Sequence, residues 1–83
     1  MEADYRLARE LVPWSAAIHF YRATWAQESQ DHTTAIEELS AAIRLNPMEF
    51  HFYEKRAISL EALSRSDEGL MDLDQAKLLS NLE

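Results

Sequence analysis

The chain predicts an all-α fold, and three observations carry that expectation. Ala35, Ile36, Leu39, Ala42 and Ile43 follow one another at steps of one, three, three and one, the spacing of an amphipathic helix. Strand-like alternation of apolar and polar residues is hard to find along the 83 residues. The third observation is repetition at a spacing of 34 residues, which aligns Ala8, Ala42 and Ala76, then Leu11, Leu45 and Leu79, and Pro13 with Pro47. The same offset pairs Arg22-Ala23 with Arg56-Ala57, Ile36 with Leu70, Leu39 with Leu73 and Ala35 with Gly69, so alanine abundance alone does not produce it. A period of this length marks a supersecondary unit that stacks on copies of itself.

Five helices are expected, over roughly 2 to 12, 16 to 29, 32 to 45, 48 to 63 and 66 to 81. The first carries Tyr5, Ala8, Leu11 and Val12 as one apolar stripe and stops at Pro13. Ser15, after Pro13 and Trp14, is a weak cap for the second. Asp31 before His32 is the corresponding cap for the third. Asn46-Pro47-Met48-Glu49 combines a cap residue, a proline preset for a first helical turn and a glutamate three positions after the cap, and opens the fourth. Ser66 before Asp67-Glu68 opens the fifth. At about 1.5 Å per residue each helix is on the order of 20 Å long.

The order of residue types within the period then becomes informative. Tyr53-x-x-Arg56-Ala57-x-x-Leu60, followed by Gly69-x-x-x-Leu73 and Ala76, resembles the tetratricopeptide repeat in the variant where arginine precedes the small residue. The preceding unit offers His19-x-x-Arg22-Ala23-x-x-Ala26, then Ala35-x-x-x-Leu39, Ala42 and Pro47. It departs from the pattern at Ala26, where a large residue is usual, and at Gln30 to Thr33, which lacks a turn glycine. Tyr5, Ala8, Leu11 and Pro13 match only the second helix of an earlier unit. The resemblance spans nearly the whole chain and implies a solenoid of helical hairpins with about five antiparallel helices. Its single domain over 1–83 divides into a lone second helix at 1–14, a whole repeat at 15–48 and another at 49–83. In such a stack the small residues Ala23, Ala57, Ala35, Gly69, Ala42 and Ala76 let backbones approach closely. Gly69 has two readings here, a contact too tight for a methyl group or drift from alanine.

Composition narrows the function classes. An 83-residue chain is one domain with a thin core, and two and a half repeats imply a neighbouring element. It has no cysteine, so disulfides and thiolate metal sites are excluded. The absence of a leader and of any apolar run near 18 residues leads to an expectation of a cytoplasmic protein that neither crosses nor binds a membrane. A net charge of −7, with eight scattered basic residues, argues against nucleic acid. His19, His32 and His51 have no helical partner histidine and no metal-ligand spacing, so no metal, no cofactor and no catalytic role is expected. His19 reads instead as a packing histidine. Arg22 and Arg56 recur with Glu38 and Asp72 on the partner helices, and each pair is expected to tie its hairpin together.

Binding surfaces remain. The resemblance implies a concave groove along the first helices, and carrying the pattern over places Ala17, Phe20, Tyr21, Thr24 and Glu28, then His51, Glu54, Lys55, Ile58 and Glu61 on it. Phe20, Tyr21, Thr24, His51, Lys55 and Ile58 are the candidate peptide-groove residues. One subfamily clamps the acidic tails of heat-shock chaperones with lysine, asparagine and arginine; here Phe20 and Thr24 stand at the leading positions and only Lys55 keeps the charge. Glu54 and Glu61 would repel such a tail. Trp25 is expected to face the lone first helix near Tyr5 and Ala8, and Phe52 and Tyr53 to pack where the repeats meet. Trp14 is left open between a staple and an exposed anchor. On the last helix Met71 and Leu78 replace the polar Glu37 and Arg44 of the earlier one, and Leu82 continues the line at coiled-coil steps. Met71, Leu78 and Leu82, with Leu79 at the edge, are the candidate association surface. The expected function is non-enzymatic: a protein-protein interaction or assembly module, whose partner is another protein or peptide or a second copy of the chain. Peptide binding in the groove is the alternative.

Overall fold

The computed structural model describes residues 12–82, and the expected helix over 2 to 12 lies outside them except for its last residue. Among the described residues there are four helices and no strand: α1 (Val12–Glu28), α2 (His32–Leu45), α3 (Phe50–Ala62) and α4 (Ser66–Ser80). Consecutive helices pack on one another. The two hairpins, α1–α2 and α3–α4, are offset by one sequence period.

Residue pairs fix the directions. Tyr53 shares a cluster with Ala76, Arg56 binds Asp72, and the Gly69 backbone lies against Ala57 and Leu60, so positions fall along α4 as they rise along α3. The helices are therefore antiparallel. The same holds between α2 and α3, where Ala42 meets Phe52, Ser40 meets Arg56 and His32 meets Ser59. Contacts between α1 and α3 instead keep a constant separation. The rings of Phe20 and Phe52 stand 5.5 Å apart, and Gln27 Nε2 lies 2.8 Å from Ser59 Oγ, both pairs 32 residues apart, so these helices run parallel.

Small side chains set the spacing within each hairpin. Ala23, Ala26, Ala35 and Leu39 form the buried cluster of the first, with Phe20 against it. Ala26, which stands where a large residue was expected, is 8% exposed and fits against the α2 chain without one. Ala16, Ala42 and Phe52 join the hairpins, and Tyr53, Ala76 and Leu79 fill the second. The placement of Phe52 and Tyr53 at the junction agrees with the sequence reading, and Tyr53 Oη donates to the Pro47 carbonyl at 2.9 Å.

Three helix starts differ from expectation. Ser66 is the first residue of α4, whose N-cap place is taken by Arg65. α1 is already helical at Val12 and Pro13, so Ser15 lies inside it. Proline is tolerated there because the first-turn N–H groups have no intrahelical acceptor. Asn46 closes α2 and does not open α3: its N–H bonds the Ala42 carbonyl at 2.9 Å, and its extended backbone (φ −147°, ψ 81°) is what a following proline favours. Pro47 and Met48 make the turn, and Glu49 takes the N-cap place of α3 without a side-chain cap. Asp31 caps α2 as expected, its carboxylate accepting from the Thr34 N–H at 3.3 Å.

The ends of α1 and α3 are built alike. Asp31 N–H reaches Ala26 O at 2.7 Å and Gln30 N–H reaches Gln27 O at 3.0 Å; Arg65 repeats this with Leu60 O at 2.8 Å, and Ser64 with Glu61 O at 3.0 Å. These are Schellman closures, which need a left-handed residue at their centre. Gln30 (φ 64°) and Ser64 (φ 63°), themselves 34 residues apart, supply it without glycine.

Candidate association surfaces

α4 leaves several large apolar residues open among charged ones. Leu70, Met71, Leu73 and Leu78 are exposed beside Asp67, Asp74 and Lys77, and Leu82 is exposed in the turn that follows the helix, Met71 and Leu82 to more than 70%. Opposite them Gly69, Asp72, Ala76 and Leu79 are buried against α3. Met71, Leu78 and Leu82 therefore lie together on the surface. Leu79 does not: it is 5% exposed and packs with Tyr53, Ala76, Ile43 and Phe50, which corrects its assignment to the edge of that surface. Sequence reasoning missed Leu70 and Leu73, because their counterparts Ile36 and Leu39 belong to the packed side of α2. Leu39 is fully buried in the cluster it shares with Ala23 and Ala26 of α1, while Leu73 is 43% exposed.

A second hollow, of about 420 Å³, lies between the hairpins and is lined by Ala16, Ala17, Phe20, Tyr21, Asn46, Glu49, His51 and Phe52. It gathers Phe20, Tyr21 and His51 of the expected groove. Lys55 Nζ stands 5.4 Å from the centre of the Phe20 ring, a cation–π distance, so it joins them. Thr24 spends its hydroxyl on the Phe20 carbonyl at 3.1 Å, and Ile58 is exposed outside the lining. The His51 ring stacks on Phe50 at 4.1 Å, with Nδ1 bonded to Glu49.

Charged pairs stiffen the scaffold beneath these surfaces. Arg56 forks onto Asp72, Nε to Oδ2 at 2.7 Å and Nη2 to Oδ1 at 2.8 Å, and gives Nη1 to Ser40 Oγ at 3.1 Å. Its hydrogen bonds to Asp72 raise the guanidinium above its ordinary value against the opposing effect of burial. The equivalent carboxylate of the first hairpin, Glu38, is engaged by His19, with Nδ1 to Oε1 at 2.7 Å. His19 is thus a part-buried histidine satisfied by a hydrogen bond. On the surface, Arg65 forks onto Glu68 at 2.8 and 2.7 Å across the start of α4, which raises the arginine and holds the carboxyl low.

A polar knot at the hairpin junction was not foreseen. Ser59 is fully buried, and its Oγ meets Gln27 Nε2 at 2.8 Å and His32 Nδ1 at 3.0 Å, while Gln27 also donates to the Lys55 carbonyl at 2.9 Å. The serine–histidine contact has the reach of a nucleophile and base. Its hydroxyl is sealed from substrate, so it serves packing. The signal was present, because Ser59 is the 34-residue counterpart of Trp25, and a swap of tryptophan for serine marks a face whose surroundings differ. Trp25 is 77% exposed and, with Ile18, Tyr21 and Arg22, borders a hollow of about 460 Å³ on the outside of α1. The expectation that it packs near Tyr5 and Ala8 involves residues outside the described ones.

Among the described residues no three His, Asp or Glu side chains are grouped to hold a metal ion, and no helix is long and apolar enough to cross a membrane. No protein-family profile, curated protein or solved structure matches the chain.

Proposed function

We propose that this chain is a tetratricopeptide-like protein-association module that works through the exposed outer face of its last helix, without catalysis. The exposed line of Met71 and Leu78 on α4, continued by Leu82 in the turn after it, carries the reading: fully burying one such side chain is worth roughly 1.5 to 3 kcal/mol, so the three together matter for association. The 34-residue recurrence, the antiparallel hairpins and the parallel α1 and α3 support the solenoid and its family resemblance. A chain carrying Met71→Glu with Leu78→Arg, the residues α2 has at those places, is expected to stay folded and to lose the association that the unaltered chain shows by light scattering. If the double change leaves the assembly intact, this face is not the interface.

A second reading has its own observation. The hollow with Phe20, Tyr21, His51 and nearby Lys55 presents aromatic rings beside one cation, a lining suited to an extended apolar peptide. Titration with short peptides, weakened by Tyr21→Ala or Lys55→Ala, favours it. Tyr21 is the better probe, being 68% exposed, whereas Phe20 also packs into the core.

A further inference from the structure

The four residues bordering the outer hollow of α1 are Ile18, Tyr21, Arg22 and Trp25. One period later stand Phe52, Lys55, Arg56 and Ser59, the side of α3 that receives the first hairpin: Phe52 takes Ala42, Arg56 takes Ser40, and Ser59 takes His32. On the α2 side Ser40, Ala42 and Ile43 make that contact, and Ile36 and Leu39 share the helical face of Ser40 and Ile43. Its image on α4 is Leu70, Leu73, Asp74 and Lys77, all exposed. The described helices thus carry both halves of that internal interface, one on α1 and one on α4.

We propose that a second copy of this chain docks head to tail, with α4 of one copy lying on α1 of the next in the register by which α2 lies on α3. This goes beyond the association reading above: it uses the stripe of Leu70, Leu73, Asp74 and Lys77, not the line of Met71, Leu78 and Leu82, and it names the partner. Two features favour it. The internal hydrogen bond from Arg56 to Ser40 becomes Arg22 to Asp74, which turns a neutral acceptor into a carboxylate opposite the guanidinium. Trp25 and Tyr21, exposed rings of the kind that anchor interfaces, gain a covering helix. Were residues 2–12 of the same chain to lie there in the same register, Arg6 would take the place of Asp74 and set two cations together. Because the two faces differ, the contact does not close on itself, and repetition extends the chain of molecules.

The test uses full-length chains whose fold is checked by circular dichroism. Trp25→Asp spoils the α1 face and Leu73→Asp the α4 face; both side chains are exposed, so neither change touches the core. The unaltered chain is expected to gain mass by sedimentation as concentration rises, without a plateau at two. Each variant alone is expected to be monomeric, and their equimolar mixture to form a one-to-one pair, because each keeps one intact face. Failure of the mixture to pair overturns the proposal. So does a fixed dimer abolished by Met71→Glu with Leu78→Arg, which would keep the association reading and make the contact symmetric. A chain monomeric throughout overturns it as well and leaves that reading to a different protein partner. A lowered melting temperature in Trp25→Asp with no change in mass would assign the α1 face to residues 2–12.

Discussion

Two equivalent carboxylates, Asp72 and Glu38, differ in worth because their partners and surroundings differ. Asp72 is 6% exposed, forked by Arg56, and Arg56 keeps only Ser40 as a further bonded partner. Asp72→Ala leaves a half-buried guanidinium without its carboxylate, and about 2 kcal/mol of stability should go, read from the urea midpoint. His19 and Glu38 are more open, and Glu38→Gln should cost less than about 1 kcal/mol. Equal losses in the two variants would refute the distinction. Gly69 shows how a structure decides between two sequence readings. A methyl group there would stand 3.3 Å from Glu61 Cγ and 3.4 Å from the Ala57 carbonyl oxygen. Glu61 is exposed and can yield, so the position is drift from alanine and not a steric demand. Gly69→Ala should therefore stabilise the chain by about 0.5 to 1 kcal/mol through helix propensity. A loss would mean that the Ala57 backbone cannot give.

At the scale of the element, interiors were legible and several ends were not. α2 and α4 lie within a residue or so of their expected spans, because their apolar steps are regular and Asp31 and the Ser66 region mark their starts. The start of α3 was misplaced since Asn46-Pro47 reads equally as a closing or an opening signal, and only the hydrogen bond to Ala42 decides. The candidate groove was partly legible, Phe20, Tyr21, His51 and Lys55 converging while Ile58 does not. The Ser59 knot was not, because burial of a serine depends on which helix covers it. The two left-handed closures offer a direct gain: Gln30→Gly and Ser64→Gly remove a side chain from a backbone region that costs it about 1 kcal/mol, and each should raise the melting temperature. The helix starts set the response to acid. The Thr34 side chain, then its backbone N–H, holds the Asp31 carboxyl below its ordinary value, and Arg65 does the same for Glu68. A carboxyl depressed in the folded state gives stability that is present above the unfolded pKa, near 4, and is lost as pH falls through the folded value. Thermal stability should thus decline below about pH 4.5, and Asp31→Asn with Glu68→Gln should flatten part of that decline.

At the scale of the molecule, stability comes from contacts between neighbours, so the junction between hairpins decides whether the described helices unfold as one unit. That junction contains one large ring at its centre. Phe52 stands 5.5 Å from the Phe20 ring of α1, touches Ala16 and Ala42, and is 7% exposed, while the polar knot at Ser59 ties the far side. Truncation of such a ring costs about 3 to 5 kcal/mol, and a domain of this size commands only about 4 to 12 kcal/mol in total. Losses elsewhere weaken one hairpin; this one uncouples two. Phe52→Ala should therefore broaden the thermal transition and lower the ratio of calorimetric cooperativity toward independent hairpins, with Ala57 and Leu60 in α3 losing hydrogen-exchange protection together with Ala42 in α2. Leu79→Ala removes an equally buried side chain, but its cluster is centred on the second hairpin, with Ile43 and Phe50 at its margin. It should lower stability by about 2 to 4 kcal/mol while protection in α1 at Ala23 and Ala26 survives. If both variants melt in one sharp transition with protection lost everywhere at once, the hairpins are a single cooperative unit and Phe52 is no hinge between them.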